Sequence, residues 1–145
     1  MNAARLSVLS TAVAVLALLR LLWTHSLFGE GPISISLQVA AALFMIWARL
    51  TFGMRSFHAA ASTTEGELVT KGPYAIVRNP IYAAVIWFAW TGVVVHFSLE
   101  SALLGLVVAG GMLARIFLEE RFLRERYREY GEYSRRVKRL VPFIF

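Results

Sequence analysis

The chain has 145 residues, 58% of them hydrophobic, so it is one domain by length and far more apolar than a soluble core requires. Cysteine and aspartate are absent and the three histidines, His25, His58 and His96, are scattered; disulfides and thiolate chemistry are excluded, and the usual hydrolytic and metal sites lack parts. The net charge of +6 sits beside apolar runs, a placement that fixes membrane topology and meets anionic lipid, and that argues against nucleic acid.

Four runs have the length and apolarity to cross a bilayer, which takes about 20 helical residues. They cover residues 6–24, 33–52, 81–97 and 99–118. The first is a poor signal peptide, because its apolar stretch is long, Arg20 interrupts it late, and no small-x-small cleavage site follows. Arg20 lies one turn from the end of that span, where it either snorkels outward or lines an internal polar cavity. The first connection holds Gly29-Glu30-Gly31, a lone Gly-x-Gly with no strand before it and hence no cofactor loop.

The middle connection, residues 53–80, is long and basic. Ser56 and His58 lie close there, but no motif supplies a third member of a triad. Gly72-Pro73 reads as a turn, and Asn79-Pro80 as N-cap and first residue of the third span. Arg78 immediately precedes that span, either as a topology charge or as a functional group. In the third connection Ser98 is the expected N-cap of the fourth span, with Glu100 in its first turn where the helix dipole favours an acid. The small residues Ala102, Gly105, Ala109, Gly110 and Gly111 suit close helix packing, or room for a lipid tail.

Glu119 and Glu120 follow at the exit of the fourth span. Arg115–Glu119 and Glu120–Arg124 are both i, i+4 pairs, so surface ion pairs or a polar mouth for a zwitterionic ligand explain them equally well. The tail begins helically, with Leu123, Tyr127, Tyr130 and Val137 near one face and charges elsewhere. Gly131 is expected to weaken or break that helix and Pro142 to end it. An arginine-rich amphipathic helix of this kind lies on a membrane surface. Lys and Arg are missing from the first and third connections, so both termini and the middle loop are expected on the cytoplasmic side.

Residues 72–82, GPYAIVRNPIY, and residues 115–137, RIFLEERFLRERYREYGEYSRRV, are separated by one apolar hairpin. With Leu68-Val69-Thr70 before them and Pro142 after, they resemble the isoprenylcysteine carboxyl methyltransferase and phospholipid methyltransferase superfamily of membrane enzymes. The likeness covers roughly residues 47 to 142. It departs at Asn79, where the family has histidine; asparagine can cap a helix and donate a hydrogen bond but carries no positive charge.

The resemblance implies S-adenosyl-L-methionine held between the middle loop and the tail. It assigns Leu68, Val69, Gly72, Tyr74, Asn79, Pro80 and Tyr82 to the cofactor wall, closed by Glu119 and Glu120. Arg78, Arg115 and Glu119 are the implied catalytic residues. The expectation is therefore one all-α integral membrane domain, residues 1–145, with four transmembrane helices and a C-terminal amphipathic helix completing the cofactor site. Its activity would be methyl transfer to a lipophilic acceptor, foremost an isoprenylcysteine-type carboxylate. A lipid amine or small thiol is the alternative acceptor, and a non-catalytic protein with a lipid-binding basic tail is the rival reading. Oligomeric state is not legible.

Overall fold

The computed structural model describes residues 3–53 and 67–145, so Ser56 and His58 lie outside the described residues. Among the described residues five α-helices and one 3-10 turn follow in order: α1 Ala3–Trp23, α2 Pro32–Phe52, the 3-10 turn Gly72–Ala75, α3 Pro80–Val95, α4 Leu99–Arg126 and α5 Tyr130–Arg136. Among the described residues the only β pairing is an isolated bridge between Val77 and Lys138.

The helices form a layer in which α1 packs on α4, α4 on α3, and α3 on α2. Small side chains make this possible. Ala14, Ala17 and Leu21 of α1 meet Ala89 and Val93 of α3 and Val108 and Met112 of α4 in one cluster. A second cluster, Val77, Ala83, Ile116 and Leu140, joins the middle loop and the tail to α3 and α4. Many other large apolar side chains, such as Leu16, Leu43, Leu50 and Leu103, point outward, which is the arrangement lipid requires.

Three helices, α1, α2 and α4, are long and apolar enough to span a membrane. α3 has 16 residues, about 24 Å at 1.5 Å per residue, against a hydrocarbon core of about 30 Å. α4 has 28 residues, or about 42 Å. It runs straight through the expected end of the fourth span at residue 118 and carries its last two turns beyond.

A Cβ at Gly111 would meet the Ser10 carbonyl at 2.8 Å and the Ala14 Cβ at 3.0 Å, and one at Gly105 would meet Val93 at 3.2 Å. These two positions serve close helix packing. Gly110 faces open space.

The caps follow the sequence at Ser98 and depart from it elsewhere. Ser98 accepts from the Ser101 amide, and Ser101 returns the bond, forming a capping box. Asn79 occupies the N-cap of α3, but its side chain caps nothing and turns toward α4. Gly131 does not break the tail helix: α4 ends at Arg126, with Tyr127 as C-cap in extended geometry, and Gly131 lies inside α5. α5 ends at Arg136, well before Pro142. The tail is also no free surface helix. Tyr130, Tyr133 and Leu140 are buried against the body, because the chain returns to pair with the middle loop.

At the end of the layer holding the first and third connections, Gln38 donates to the carbonyls of Leu27 and Phe88 at 2.8 and 3.0 Å, and accepts from the Gly29 amide at 2.9 Å. Arg20 pairs with Glu100 at 2.7 Å, both half exposed. Arg20 therefore faces outward.

Candidate functional site

At the opposite end, the two sequence runs converge into two adjacent polar centres. The first is built on Glu120, whose side chain is 2% exposed. Its Oε1 accepts from Arg78 Nε at 3.1 Å and Asn79 Nδ2 at 3.2 Å, and its Oε2 from Arg139 Nε at 3.1 Å. Arg124 approaches the same oxygen at 3.5 Å. A carboxylate this deep is tolerated only when its lone pairs are filled.

Arg78 then spans three elements. Beyond Glu120 it donates through NH1 to the Ser134 carbonyl and, at 2.7 Å, to the Val137 carbonyl. The backbone repeats the tie, with the Arg78 and Asn79 amides donating to the Lys138 and Arg139 carbonyls at 2.7 and 3.1 Å. One planar guanidinium thus pins the start of α3 to both α4 and the tail.

The second centre lies one turn away. Arg115 Nε donates to the Tyr82 hydroxyl at 2.6 Å and to Glu119 Oε1 at 2.9 Å, and Tyr82 donates to the same Oε1 at 2.6 Å. Arg115 NH1 reaches Thr11 of α1 at 2.8 Å, and its guanidinium lies 5.7 Å from the Tyr82 ring centroid. Glu119 is 26% exposed against 9% for Arg115. Its Oε2 takes no hydrogen bond among the described residues, so it is the oxygen open to a ligand.

The expected cofactor wall divides in two. Asn79, Pro80 and Tyr82 stand with Arg78 against α4. Gly72 and Tyr74 face α2 instead: Gly72, at φ +60°, would place a Cβ 3.2 Å from Thr51, and the Tyr74 ring stacks on Phe52 at 5.6 Å. Leu68 and Val69 lie half-buried in the stretch leading to the 3-10 turn.

The matched region runs over residues 30–130 and fits the family described as phospholipid methyltransferase. The chain belongs to this family of methyltransferases. Protein-S-isoprenylcysteine O-methyltransferase B of Arabidopsis thaliana is 36% identical over 80 residues, which cover 54% of this chain and 41% of that protein. A probable protein-S-isoprenylcysteine O-methyltransferase of Oryza sativa subsp. japonica is 38% identical over 80 residues, 54% of this chain and 42% of that protein. The cobalt-zinc-cadmium resistance protein CzcN of Cupriavidus metallidurans is 34% identical over 76 residues, 52% of this chain and 35% of its own length. The chain thus aligns with about two fifths of the length of these curated relatives. No solved structure matches it. With three apolar helices of spanning length, this family member is an integral membrane protein.

Two contributors to the candidate site, Thr11 and Arg139, escaped the sequence reading, and two more, Tyr130 and Tyr133, were read there only as part of the tail. Thr11 sits in the first span with no local sign of polar purpose. Arg139 had a signal, as the arginine shortly before Pro142. Tyr133 donates to the Tyr74 carbonyl at 2.6 Å and thereby fixes the 3-10 turn to α5. Burial raises both tail phenols, Tyr130 and Tyr133, well above the ordinary tyrosine range; Glu120 adds to the rise for Tyr130, and Tyr130 to that for Tyr133. Both remain protonated and able to donate.

Proposed function

We propose that this protein transfers a methyl group from S-adenosyl-L-methionine to a lipophilic acceptor in the membrane, foremost an isoprenylcysteine-type carboxylate. The observation that carries this reading is convergence: motif residues Tyr82, Arg115 and Glu119 meet within 2.6–2.9 Å at the ends of α3 and α4. The named relatives in Arabidopsis and rice support the choice of acceptor.

The residues present suit such a donor. Glu119 offers an open carboxylate oxygen for the cofactor's ammonium, and Arg115 and Tyr82 hold the other oxygen, which orients the carboxylate. Glu120 contributes differently. With both oxygens engaged by Arg78, Asn79, Arg124 and Arg139, it positions Glu119 and the tail. Arg78 likewise acts through geometry, as does Asn79, whose amide makes toward Glu120 the neutral contact for which no charge is needed.

Bound, the cofactor supplies a methyl group on a sulfonium, which a carboxylate attacks in line without a protein nucleophile. The protein's part is alignment and exclusion of water. A carboxylate acceptor is already ionised; an amine acceptor would need a base, and Glu119 is the carboxylate placed for it. In this reading α3 also crosses, as the third of four spans, with its ends in the interface, and the site faces the cytoplasm.

Calorimetry with S-adenosyl-L-methionine on the detergent-solubilised protein tests the assignment. Glu119→Gln should weaken binding ten- to a hundredfold, from loss of about 1.5–3 kcal/mol of charge-assisted hydrogen bonding. Glu129→Gln, on the exposed link between α4 and α5, should leave it unchanged. Equal affinity in both variants would remove Glu119 from the site. No binding by a folded wild type would favour a non-catalytic protein.

A further inference from the structure

Beside the first centre, on the face of α4 that carries Phe117 and Arg121, lies a cavity that shares Glu120, Arg124 and Arg139 with that centre. Phe117, Arg121 and Arg124 fall four and three residues apart on one face, and the returning tail sets Arg139 beside them. Together with Glu120 and Glu125 they bound a cavity of about 320 Å³. We propose that this cavity holds the phosphate of an anionic membrane phospholipid, with the acyl chains descending along α4.

Three observations point to this occupant. The first is charge. Arg121, Arg124 and Arg139 line the cavity with two carboxylates, Glu120 and Glu125, leaving a positive surplus that a phosphate would neutralise. Arg121 is committed only to Glu125, an exposed pair at 3.3 Å that exchanges easily with another anion. Arg139 spends its Nε on Glu120, and its remaining N–H groups make no hydrogen bond among the described residues.

The second is the apolar rim. The Arg139 guanidinium lies 5.1 Å from the Phe117 ring centroid and 5.3 Å from that of Phe145. The tail beyond it folds back, with the Leu140 and Val141 amides both donating to the Phe145 carbonyl at 2.7 Å. This hook presents Phe143 and Ile144 at 94% and 78% exposure. A soluble anion has no use for such a rim, whereas a lipid matches both parts.

The third is depth. If about 20 residues of α4 occupy the hydrocarbon, Phe117 lies at its edge and Arg121 and Arg124 at headgroup level. The site belongs to the membrane reading of the chain, and lipid binding there is read out without methyl transfer.

The test is a binding series on the detergent-solubilised full chain by native mass spectrometry. Dioctanoyl phosphatidylglycerol, dioctanoyl phosphatidylcholine and inorganic phosphate serve as probes. One phosphatidylglycerol should bind at least about tenfold more tightly than either of the others, and the double variant Arg121→Gln/Arg124→Gln should lose that preference. Arg121 and Arg124 are exposed enough that the variant folds; an unchanged melting temperature checks this, and Phe117→Ala offers a second, uncharged disruption expected to weaken the lipid alone. The control Arg128→Gln/Arg135→Gln removes equal charge from exposed tail positions. Equal loss in the control would reduce the effect to net charge and overturn the site. Phosphate binding as tightly as lipid would overturn the lipid assignment.

Discussion

Arg78 and Glu120 meet at 3.1 Å with side chains only 6% and 2% exposed, although 42 residues separate them. Their contact closes the loop between the two sequence runs, and the tail hangs on the same guanidinium. Breaking a buried pair from one side leaves the other charge stranded, at about 3–5 kcal/mol. Glu120→Gln strands several arginines, so it should lower the melting temperature in detergent sharply. Arg78→Lys keeps the charge but cannot reach Glu120 and two carbonyls together, and should destabilise the protein too. A melting temperature unchanged in both would show that the tail docks by other means.

Alkaline titration gives a second readout of that docking. Tyr130 and Tyr133 have folded pKa values raised above the unfolded one of about 10, chiefly by burial. The neutral phenol is therefore the form the fold favours. Its contribution to stability is complete below about pH 10 and is lost as pH rises toward the folded values. Spectrophotometric titration should show two tyrosines ionising only as the tail releases, and Tyr133→Phe should remove one of them. Simple ionisation of every tyrosine near pH 10 in a folded protein would contradict the burial.

The glycines of α4 offer a contrast within a single helix. Gly111 has the Ser10 carbonyl 2.8 Å from where a Cβ would stand, while Gly110 has nothing within 4 Å. Gly111→Ala should push α1 off α4 and destabilise the fold. Gly110→Ala should be neutral or slightly stabilising, since alanine favours helix by about 1 kcal/mol. Thermal melting of the two variants side by side decides this, and equal effects would argue against the close α1–α4 contact.

Much of this architecture was written locally. Apolar runs located the helices within a few residues except at the end of α4, which runs on to Arg126, and Ser98 announced its own cap. The motif residues Arg78, Asn79, Tyr82, Arg115, Glu119 and Glu120 were visible as a set through the family resemblance, and the charged ones drew notice by themselves because charges at the mouth of an apolar span are costly unless used. Their division of labour was not visible. Whether Glu119 or Glu120 stays open depends on which way α4 turns them, one toward Tyr82 and one toward Arg78. That is fixed by helix packing rather than by spacing. The helix breaks after Arg126 and not at Gly131 for a related reason. Glycine signals a weak helix, but the tail turns where Tyr130 and Tyr133 must reach their burial sites.

Topology carries the last prediction. Among the described residues, Arg20 is the single Lys or Arg at the end of the layer holding the first and third connections, and Glu100 pairs with it. Lys71, Arg78 and the arginines of α4 and the tail gather at the other end. The positive-inside rule then sets that end in the cytoplasm. The natural chain has no cysteine, so single substitutions report without background. Glu30→Cys, at a side chain 81% exposed, should react with a membrane-impermeant maleimide on intact cells. Lys71→Cys, also exposed, should react only after permeabilisation. The reverse pattern would turn the protein over in the membrane and would place the candidate site on the outer face, away from any cytoplasmic supply of cofactor.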